Sequence, residues 1–221
     1  LALCNANLPD PAIDPNKGEN PEDYFNTVLY TGDGTTSNAV TGVGFQPDFT
    51  WIKNRTTAVG HVLHDVVRGN NGSKYYYLVT SSSAAETVSA DDDALFSLDA
   101  DGFTVGYTNG NAFNKPSDNY VAWNWKAGGT AVANTDGDIN TNVSVNDDAG
   151  FSIISYTGNG SGSAQTIGHG LSTKPDLAIV KVRTQSYNWM VLFDIIDGSY
   201  DFIQGLNTNS AKSNGSGTFA T

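Results

Sequence analysis

Three blocks of sequence occur twice in this chain, in the same order and at nearly the same spacing. Segments 28–34, 44–55 and 62–69 recur as 154–160, 171–183 and 191–198. The offset rises only from 126 residues (28 to 154) through 128 (49 to 177) to 129 (62 to 191). Internal similarity of this kind indicates a repeated structural unit. We therefore predict two tandem copies of one unit, and any fold proposed for the chain has to contain both.

The local pattern inside each copy is typical of strands and turns. From Tyr24 onward, short runs of Val, Ile, Tyr and Phe alternate with Gly, Asn, Asp and Ser. This pattern predicts an all-β fold, which we interpret as two tandem β-sandwich repeats of the jelly-roll or lectin-like kind. No convincing amphipathic helix is present. The best helical candidate, residues 81–98, is expected to hold at most a short turn near 84–86 or 94–97.

The repeat also predicts the pairing of strands. Residues 49–55 should form a hairpin with 61–67, and the second copy should do the same across 184–188. Residues 120–126 read as a closing strand of the first copy, and the second copy shows no equivalent. A unit without its last strand exposes an unpaired edge. We therefore expect either a longer protein or a neighbouring chain to supply that strand.

These features divide the chain into four parts. The first part is rich in Pro, Asp and Asn, and because Pro lacks the N–H that a sheet needs, an extended arm or linker is expected there. The predicted parts are an arm at 1–23, a first repeat at 24–127, a linker at 128–149 and a truncated second repeat at 150–221.

Composition limits the partners of the chain. Among 221 residues, 23 are Asp or Glu and 11 are Lys or Arg, which gives a net charge of −12. Such a chain repels phosphate backbones and anionic membranes, so neither nucleic acid nor a membrane is an expected partner. No apolar stretch approaches the ~20 residues that span a bilayer. The single cysteine, Cys4, cannot form an internal disulfide.

The three histidines favour structural roles. His61 and His64 flank one predicted strand and face opposite sides because their spacing is odd. Position 64 corresponds to Phe193 in the second copy, which argues against a shared chemical role. His169 stands between two glycines and is interpreted as a turn histidine, since no residue at metal-like spacing accompanies it.

The carboxylates that recur in both copies also favour structural roles. Asp48 and Asp176 follow Pro, where an Asp side chain commonly binds turn backbone. Asp65 and Asp194 are expected to form exposed pairs across the hairpins, with Lys53 or Arg55 and with Lys181 or Arg183. The acidic segments 91–93, 99–101 and 136–138 do not fit the twelve-residue calcium loop and are interpreted as solvated turns. We predict no enzyme, no cofactor and no metal site.

Aromatic residues provide the only candidate binding site. Trp123 and Trp125 share one face of a predicted strand, and Tyr75, Tyr76 and Tyr77 form a run. Flat aromatic faces on a β-sandwich are suited to stacking against sugar rings, so these five residues are candidates for carbohydrate binding. The alternative is core packing for the tryptophans and cross-strand or subunit contact for the tyrosines.

Several blocks resemble a known family. They are YFNTVLYTGDGT at 24–35, TGVGFQPDFTWIKNR at 41–55, NYVAWNWKAGG at 119–129 and IGHGLSTKPDLAIVKVR at 167–183. Together they are similar to a repeated β domain of uncharacterised function in large virion proteins of tailed phages, especially marine and cyanobacterial phages. The resemblance extends over nearly everything from Asn5 onward. It implies a place in the virion beside other virion proteins, and it offers no catalytic residues to carry over.

The sequence therefore predicts a structural or adhesive component of a phage virion, in a tail fibre or appendage that takes part in host attachment. Fibres are commonly trimers, so a homo-oligomer is expected, with the trimer favoured. The alternatives are a carbohydrate-binding module for host surface glycans, a polysaccharide depolymerase, and a head fibre or capsid decoration protein.

Overall fold

The computed structural model describes residues 13–14, 17–193, 202–211 and 213–214. Within these residues the chain is all-β: fifteen strands form four antiparallel sheets, and the one helical segment is a single 3-10 turn at Pro21–Asp23. The predicted arm lies mostly outside the described residues. The strands are β1 (Phe25–Thr31), β2 (Asn38–Thr41), β3 (Phe49–Asn54), β4 (Val62–Asp65), β5 (Leu78–Val79), β6 (Leu95–Asp99), β7 (Gly102–Val105), β8 (Asn119–Trp125), β9 (Val132–Asn134), β10 (Thr141–Asn146), β11 (Phe151–Tyr156), β12 (Leu177–Val180), β13 (Met190–Phe193), β14 (Phe202–Gly205) and β15 (Ser213–Asn214).

Two sheets enclose the main core. One has the strand order β1-β8-β3-β4-β5 and the other β2-β7-β6. Alternate residues of each strand point inward, because successive side chains lie on opposite faces. Ile52 and Tyr120 from the first sheet pack with Phe103 and Val105 from the second, and all four are fully buried. The arrangement is sandwich-like, and we call it the first unit.

The predicted hairpin and closing strand of the first unit are confirmed. Strand β3 pairs with β4, with Phe49 opposite Asp65, and β8 lies between β1 and β3. One inward-facing row therefore crosses four strands and contains Val28, Ala122, Ile52 and Val62. Strand β8 joins the start of the unit to its middle.

A polar network fixes the loop that precedes β8. The Asn114 side chain is fully buried, and its amide donates to the Asp33 carboxylate at 2.8 Å and to the Thr35 carbonyl at 3.0 Å. Close packing against this loop requires Gly32, because a Cβ there would lie 2.1 Å from the carbonyl oxygen of Lys115. The loop is thus locked onto the turn that follows β1.

The rest of the chain forms two smaller sheets, which we call the second unit. Their orders are β11-β10-β9 and β12-β13-β14-β15. The predicted second hairpin is confirmed, since β12 pairs with β13 and Leu177 lies opposite Phe193. Within the described residues no strand joins β11 to β12 as β8 joins β1 to β3.

The repeated blocks adopt the same local structures. Gly34 and Gly160 both have φ of +73°, a left-handed conformation that favours glycine. In each turn the residue before the glycine accepts a hydrogen bond from the backbone N–H two residues further along. Thr35 N donates to the Asp33 side chain at 2.8 Å, and Ser161 N donates to the Asn159 side chain at 2.9 Å.

The pairing registers correct one detail of the alignment. Thr50 lies opposite His64, and its counterpart Ala178 lies opposite Leu192, so Leu192 rather than Phe193 occupies the place of His64. The last paired residues before the connection, Ile52 with Val62 and Val180 with Met190, are the same number of residues apart in both hairpins. A shift by one residue would move each side chain to the other face of the sheet. Leu192 is accordingly the buried residue of β13.

The short turn expected near 84–86 or 94–97 is wrong. No helix forms there, and Leu95–Asp99 is strand β6 with a bulge between Leu95 and Ser97. Leu95 and Leu98 are buried in the main core. Burial against the facing sheet therefore overrides the weak local helix preference of the Ala- and Glu-containing segment.

Candidate functional site

The outer face of the five-stranded sheet carries the candidate tryptophans. Strand register places two rows of outward side chains there. One row contains Phe25, Trp125 and Phe49, and the other contains Thr27, Trp123, Trp51, Leu63 and Leu78. The prediction that Trp123 and Trp125 share a face is therefore correct, and that face points away from the main core.

Trp125 is enclosed by other aromatic rings. Its centroid lies 4.7 Å from Phe25 and 5.1 Å from Phe49, and Phe151 stacks on it at 6.0 Å with an interplanar angle of 21°. Phe151 belongs to β11 of the second unit. Trp125 thus serves the contact between the two units, although its side chain is still only partly buried.

Trp123 has a different environment. It packs edge-to-face against Trp51 at 5.9 Å, and the Trp51 indole donates a hydrogen bond of 3.1 Å to the Thr80 hydroxyl. Both tryptophans are only partly buried, and Leu29 on the neighbouring strand is 65% exposed. This part of the face is able to take a sugar ring or an apolar partner surface.

The second unit also reaches the outer face through Trp189. This residue is 3% exposed and packs with Leu63 and Leu78. Its indole N–H donates to the carbonyl oxygens of Val79 and Ser82, both at 3.1 Å. A buried apolar ring with a satisfied N–H is a stable anchor, so Trp189 fixes the hairpin β12–β13 against the edge of the first unit.

A chain of charges accompanies this anchor. Asp65 pairs with Arg68, Arg68 lies 3.4 Å from Glu86, and Glu86 binds Arg183 of the second unit. Arg183 is held by two hydrogen bonds, from Nε at 3.0 Å and from Nη2 at 2.8 Å. We call the Glu86–Arg183 pair the charge clamp.

The expected pairing of Asp65 across the hairpin is wrong. Asp65 is 3% exposed, and its carboxylate accepts hydrogen bonds from the backbone N–H and the guanidinium of Arg68. The turn after β4 brings Arg68 back onto the strand, so a buried local pair forms instead of an exposed cross-strand one. Asp194 lies outside the described residues.

The tyrosine run does not form an exposed platform. Tyr75 and Tyr77 pack against the main core, and burial raises the pKa of both phenols. Tyr77 faces His64 and Phe113. The carbonyl of Tyr76 accepts a hydrogen bond from Nδ1 of His64 at 3.1 Å. Tyr75 and Tyr77 therefore act as packing residues.

The histidines lie in structural positions. His64 is completely buried, and burial together with the nearby Arg68 charge lowers its pKa to about 3, so it stays neutral near pH 7. Its Nε2 atom has no hydrogen-bond partner. His169 lies in a turn, as expected, where Nδ1 accepts from the backbone N–H of Leu171 at 3.1 Å.

Asp48 and Asp101 use their carboxylates to accept hydrogen bonds from backbone N–H groups. Asp48 accepts from Ala127 N at 2.7 Å and from Gly129 N at 3.1 Å, and its pKa is raised because burial outweighs these hydrogen bonds. The expected backbone role is therefore present, although the partner is the chain leaving β8 rather than the local turn. Asp101 binds the backbone of Gly42 and Gly44 in the same way, which lowers its pKa.

The described residues contain neither a metal-binding cluster nor a membrane-spanning helix. No three His, Cys, Asp or Glu side chains in that part of the chain come together as a metal site. In the same residues, none of the helical structure has the length and apolar character needed to cross a membrane. Cys4 lies outside the described residues.

The comparisons with known proteins identify the family. Residues 20–221 match the family described as Domain of unknown function (DUF7483). The chain belongs to this family. The DUF7483 match extends over both units and the connection between them, so the contacts of Phe151, Trp189 and the charge clamp all lie within it. No curated protein and no solved structure matches the chain.

Proposed function

We propose that this protein is a structural and adhesive component of a phage virion, of the tail-fibre or appendage class, built from two tandem β-sandwich units. The observation that carries the proposal is a difference between the two units. The second unit covers part of the outer face of the first, whereas the matching positions on β12 of the second unit are exposed. The resemblance of the sequence to virion proteins of tailed phages supports the same assignment.

The contact between the two units supports the proposal that such units stack. Phe151 of the second unit contacts Phe49 on the outer face of the first, and Trp189 packs with Leu63 and Leu78. Burial of apolar surface is the main favourable term in an association of this kind, at roughly 25 cal/mol per Å². The interface joins aromatic anchors to the charge clamp.

The face of β12 in the second unit corresponds to the outer face of β3 in the first unit, and it is exposed. Leu177 and Ile179 match Phe49 and Trp51, and they are 55% and 44% exposed. Val182, just beyond β12, is 43% exposed. Neighbouring exposed apolar residues are typical of interaction sites. The proposed occupant is a second copy of this chain, because the first unit shows a face of this kind covered by a unit of the same family.

The strand edges support self-association. In the described residues, β11 and β12 each have one paired neighbour, whereas β1 and β3 share β8. An open edge pairs readily with another strand. We propose a homo-oligomer, with a trimer as the expected state, in which one copy covers β12 of the next. Other virion proteins are the remaining proposed partners.

We also propose that the protein has no catalytic role. Asp48 and Asp101 hold backbone, Asp65 is bound to Arg68, and His64 is buried and neutral. A general acid or base needs access to substrate and a pKa near the working pH. None of these four groups combines the two properties.

Two measurements test the proposal. Gold-labelled antibodies against the protein should decorate the tail fibres or appendages of intact phage particles, whereas labelling of the head would support a head fibre or capsid decoration protein. Absence from purified particles by mass spectrometry would overturn the virion assignment.

Sedimentation velocity tests the assembly. The wild-type protein should sediment as a trimer, and Ile179→Lys should shift it to a monomer because a charge enters the apolar contact. Val132→Lys is the matched control, since Val132 is 63% exposed and lies on the other small sheet. A monomeric wild type, or equal effects of both variants, would contradict the proposed contact.

A second candidate function is glycan binding by the outer face, favoured by the partly exposed pair Trp51 and Trp123. On a glycan array, Trp123→Ala should abolish binding while the far-ultraviolet circular dichroism stays unchanged. Tyr187→Ala, at a site 57% exposed, is the control for unspecific loss of aromatic surface. Retained binding by Trp123→Ala would reject this site.

A further inference from the structure

A polar cleft lies in the second unit, away from the candidate tryptophans. It has a volume of about 490 Å³, within the range of small-ligand sites. It lies where β10 begins and β11 ends, because Asn142 on β10 is paired with Ser155 on β11. Its principal lining residues are Asp138, Asn140, Asn142, Tyr156, Asn159 and Arg183.

Three of these side chains are held in place by the fold. Asp138 accepts hydrogen bonds from the Thr166 backbone N–H at 2.9 Å and from the Thr166 hydroxyl at 2.8 Å. Arg183 is fixed by the charge clamp. Asn159 accepts from Ser161 N at 2.9 Å and donates to the Gln165 side chain at 2.6 Å. Fixed polar groups reduce the ordering cost of binding a ligand.

The remaining groups face solvent. Asn140 and Asn142 are exposed, and each amide offers both donors and an acceptor. Tyr156 is 45% exposed, so its ring provides a flat apolar surface beside the amides. Neighbouring hydroxyl groups on a sugar need both donors and acceptors, and the C–H face of the ring packs on an aromatic side chain. The cleft places the two kinds of group together.

The charges around the cleft favour a neutral ligand over an acidic one. The guanidinium of Arg183 is neutralised by Glu86, and Asp138 adds a negative charge that its hydrogen bonds with Thr166 stabilise by lowering its pKa. The chain as a whole carries −12. An acidic ligand would be repelled by this environment, whereas a neutral one meets a balanced set of donors and acceptors.

We propose that this cleft binds a neutral oligosaccharide, with Tyr156 stacking on a sugar ring and Asn140, Asn142, Asp138 and Arg183 binding its hydroxyl groups. The site rests on the adhesive part of the proposed function and gives it a ligand class. It is separate from the outer face around Trp123, so one set of variants distinguishes the two sites.

Isothermal titration with four neutral trisaccharides, namely maltotriose, cellotriose, chitotriose and mannotriose, tests the proposal on the full chain, and 3′-sialyllactose is the acidic comparison. At least one neutral trisaccharide should bind more tightly than the acidic one. Tyr156→Ala should weaken that binding about tenfold, which corresponds to about 1.4 kcal/mol for the loss of a stacked ring. Asn142→Ala should weaken it about fivefold through the loss of hydrogen bonds.

Matched controls separate the outcomes. Tyr156→Phe keeps the ring and should retain most of the affinity, and Tyr187→Ala removes an exposed ring outside the cleft and should have no effect. Each variant is checked by near-ultraviolet circular dichroism, and Asn142→Ala gives an independent result if Tyr156→Ala does not fold.

Loss of binding in Trp123→Ala with full binding in Tyr156→Ala would overturn the cleft site and leave the adhesive function in place. Failure of every neutral trisaccharide, or tighter binding of sialyllactose, would also overturn it. Absence of the protein from phage particles, with binding that still depends on Tyr156, would reject the virion function and retain the glycan site.

Discussion

The hairpins β3–β4 and β12–β13 have matching sequences and the same antiparallel pairing, but they differ in what surrounds them. Ile52 on β3 is fully buried, whereas the matched Val180 on β12 is only partly buried. Strand β8 and the facing sheet β2-β7-β6 enclose the first hairpin, and the described residues provide neither for the second. Strand pairing in the two hairpins therefore follows local sequence, whereas burial depends on distant segments of the chain.

The matched lysines show how far the local similarity extends. Lys53 and Lys181 each bend back to donate a hydrogen bond of 2.6 Å to the carbonyl oxygen of the next residue. The two side chains make the same contact although one belongs to an enclosed sandwich and the other to an open sheet. Variants at matched positions therefore isolate the effect of the surroundings.

Core truncation should show the largest difference. Ile52→Ala should lower the free energy of unfolding by about 3 kcal/mol, because it leaves a cavity in a close-packed core. Val180→Ala, at the matched and only partly buried position, should lower it by about 1 kcal/mol or less. Urea unfolding followed by tryptophan fluorescence measures both. Equal losses would mean that the second hairpin is as enclosed as the first.

Acid should weaken the first unit through His64. Its folded pKa is about 3 and the unfolded value is about 6.5, so the unfolded chain binds the proton first. The contribution of the neutral His64 to the free energy of unfolding is present above pH 6.5 and is lost as the pH falls from 6.5 towards 3. The loss is about 2 kcal/mol between pH 6.5 and 5. Urea unfolding at several pH values measures this slope.

His64→Leu is the matched control, because Leu192 occupies the same place in the second unit. It should remove most of the slope between pH 6.5 and 5, leaving the smaller contribution of His61, whose pKa is also lowered by burial and by Lys53. An unchanged slope in this variant would contradict the burial of an uncharged His64.

Alanine substitutions in the two repeated turns should differ in stability only through the contacts of the new side chain. Gly34→Ala and Gly160→Ala both force a side chain into φ of +73°, at a cost of about 1 kcal/mol. At Gly34 the new Cβ would also lie 2.4 Å from Cγ of Pro116, whereas at Gly160 it meets nothing within 4 Å. Thermal unfolding should therefore show a loss about 1 kcal/mol larger for Gly34→Ala. A larger loss at Gly160 would contradict the tight loop around Asn114.

The charge clamp should give the smallest effect. Arg183→Ala removes a pair whose arginine side chain is 38% exposed, so we expect a loss of about 1 kcal/mol or less, reduced further by salt. Arg55→Ala, at an exposed position near the end of β3, is the control and should cost nothing measurable. Equal effects of the two variants would show that the clamp does not hold the units together.

Much of the local structure was predictable from sequence. The repeat and the alternation of apolar residues predicted the hairpin β3–β4 and the closing strand β8, because strand period and turn chemistry are local properties. The backbone role of Asp48 followed from its place after Pro, but its partners near Gly128 did not, since they lie about eighty residues away in the sequence.

The candidate site was predicted only in part. Sequence spacing placed Trp123 and Trp125 on one face, but it gave no signal that Phe151 of the second unit stacks on Trp125. The cleft around Tyr156 was missed, because Asn, Asp and Tyr are common throughout the chain and only the fold gathers them with Arg183. A composition rich in Asn and Gly hides such a site.

The repeated sequence blocks, the all-β class, the two hairpins and the acidic charge could all be read from the sequence, because each depends on residue type and short-range spacing. The tertiary structure was needed to show which hairpin is enclosed, which tryptophan Phe151 contacts, and that Asp65 binds Arg68 rather than a residue across the hairpin. The physical reason is that burial and ion pairing depend on which distant segments meet, and matching local sequences do not specify those meetings.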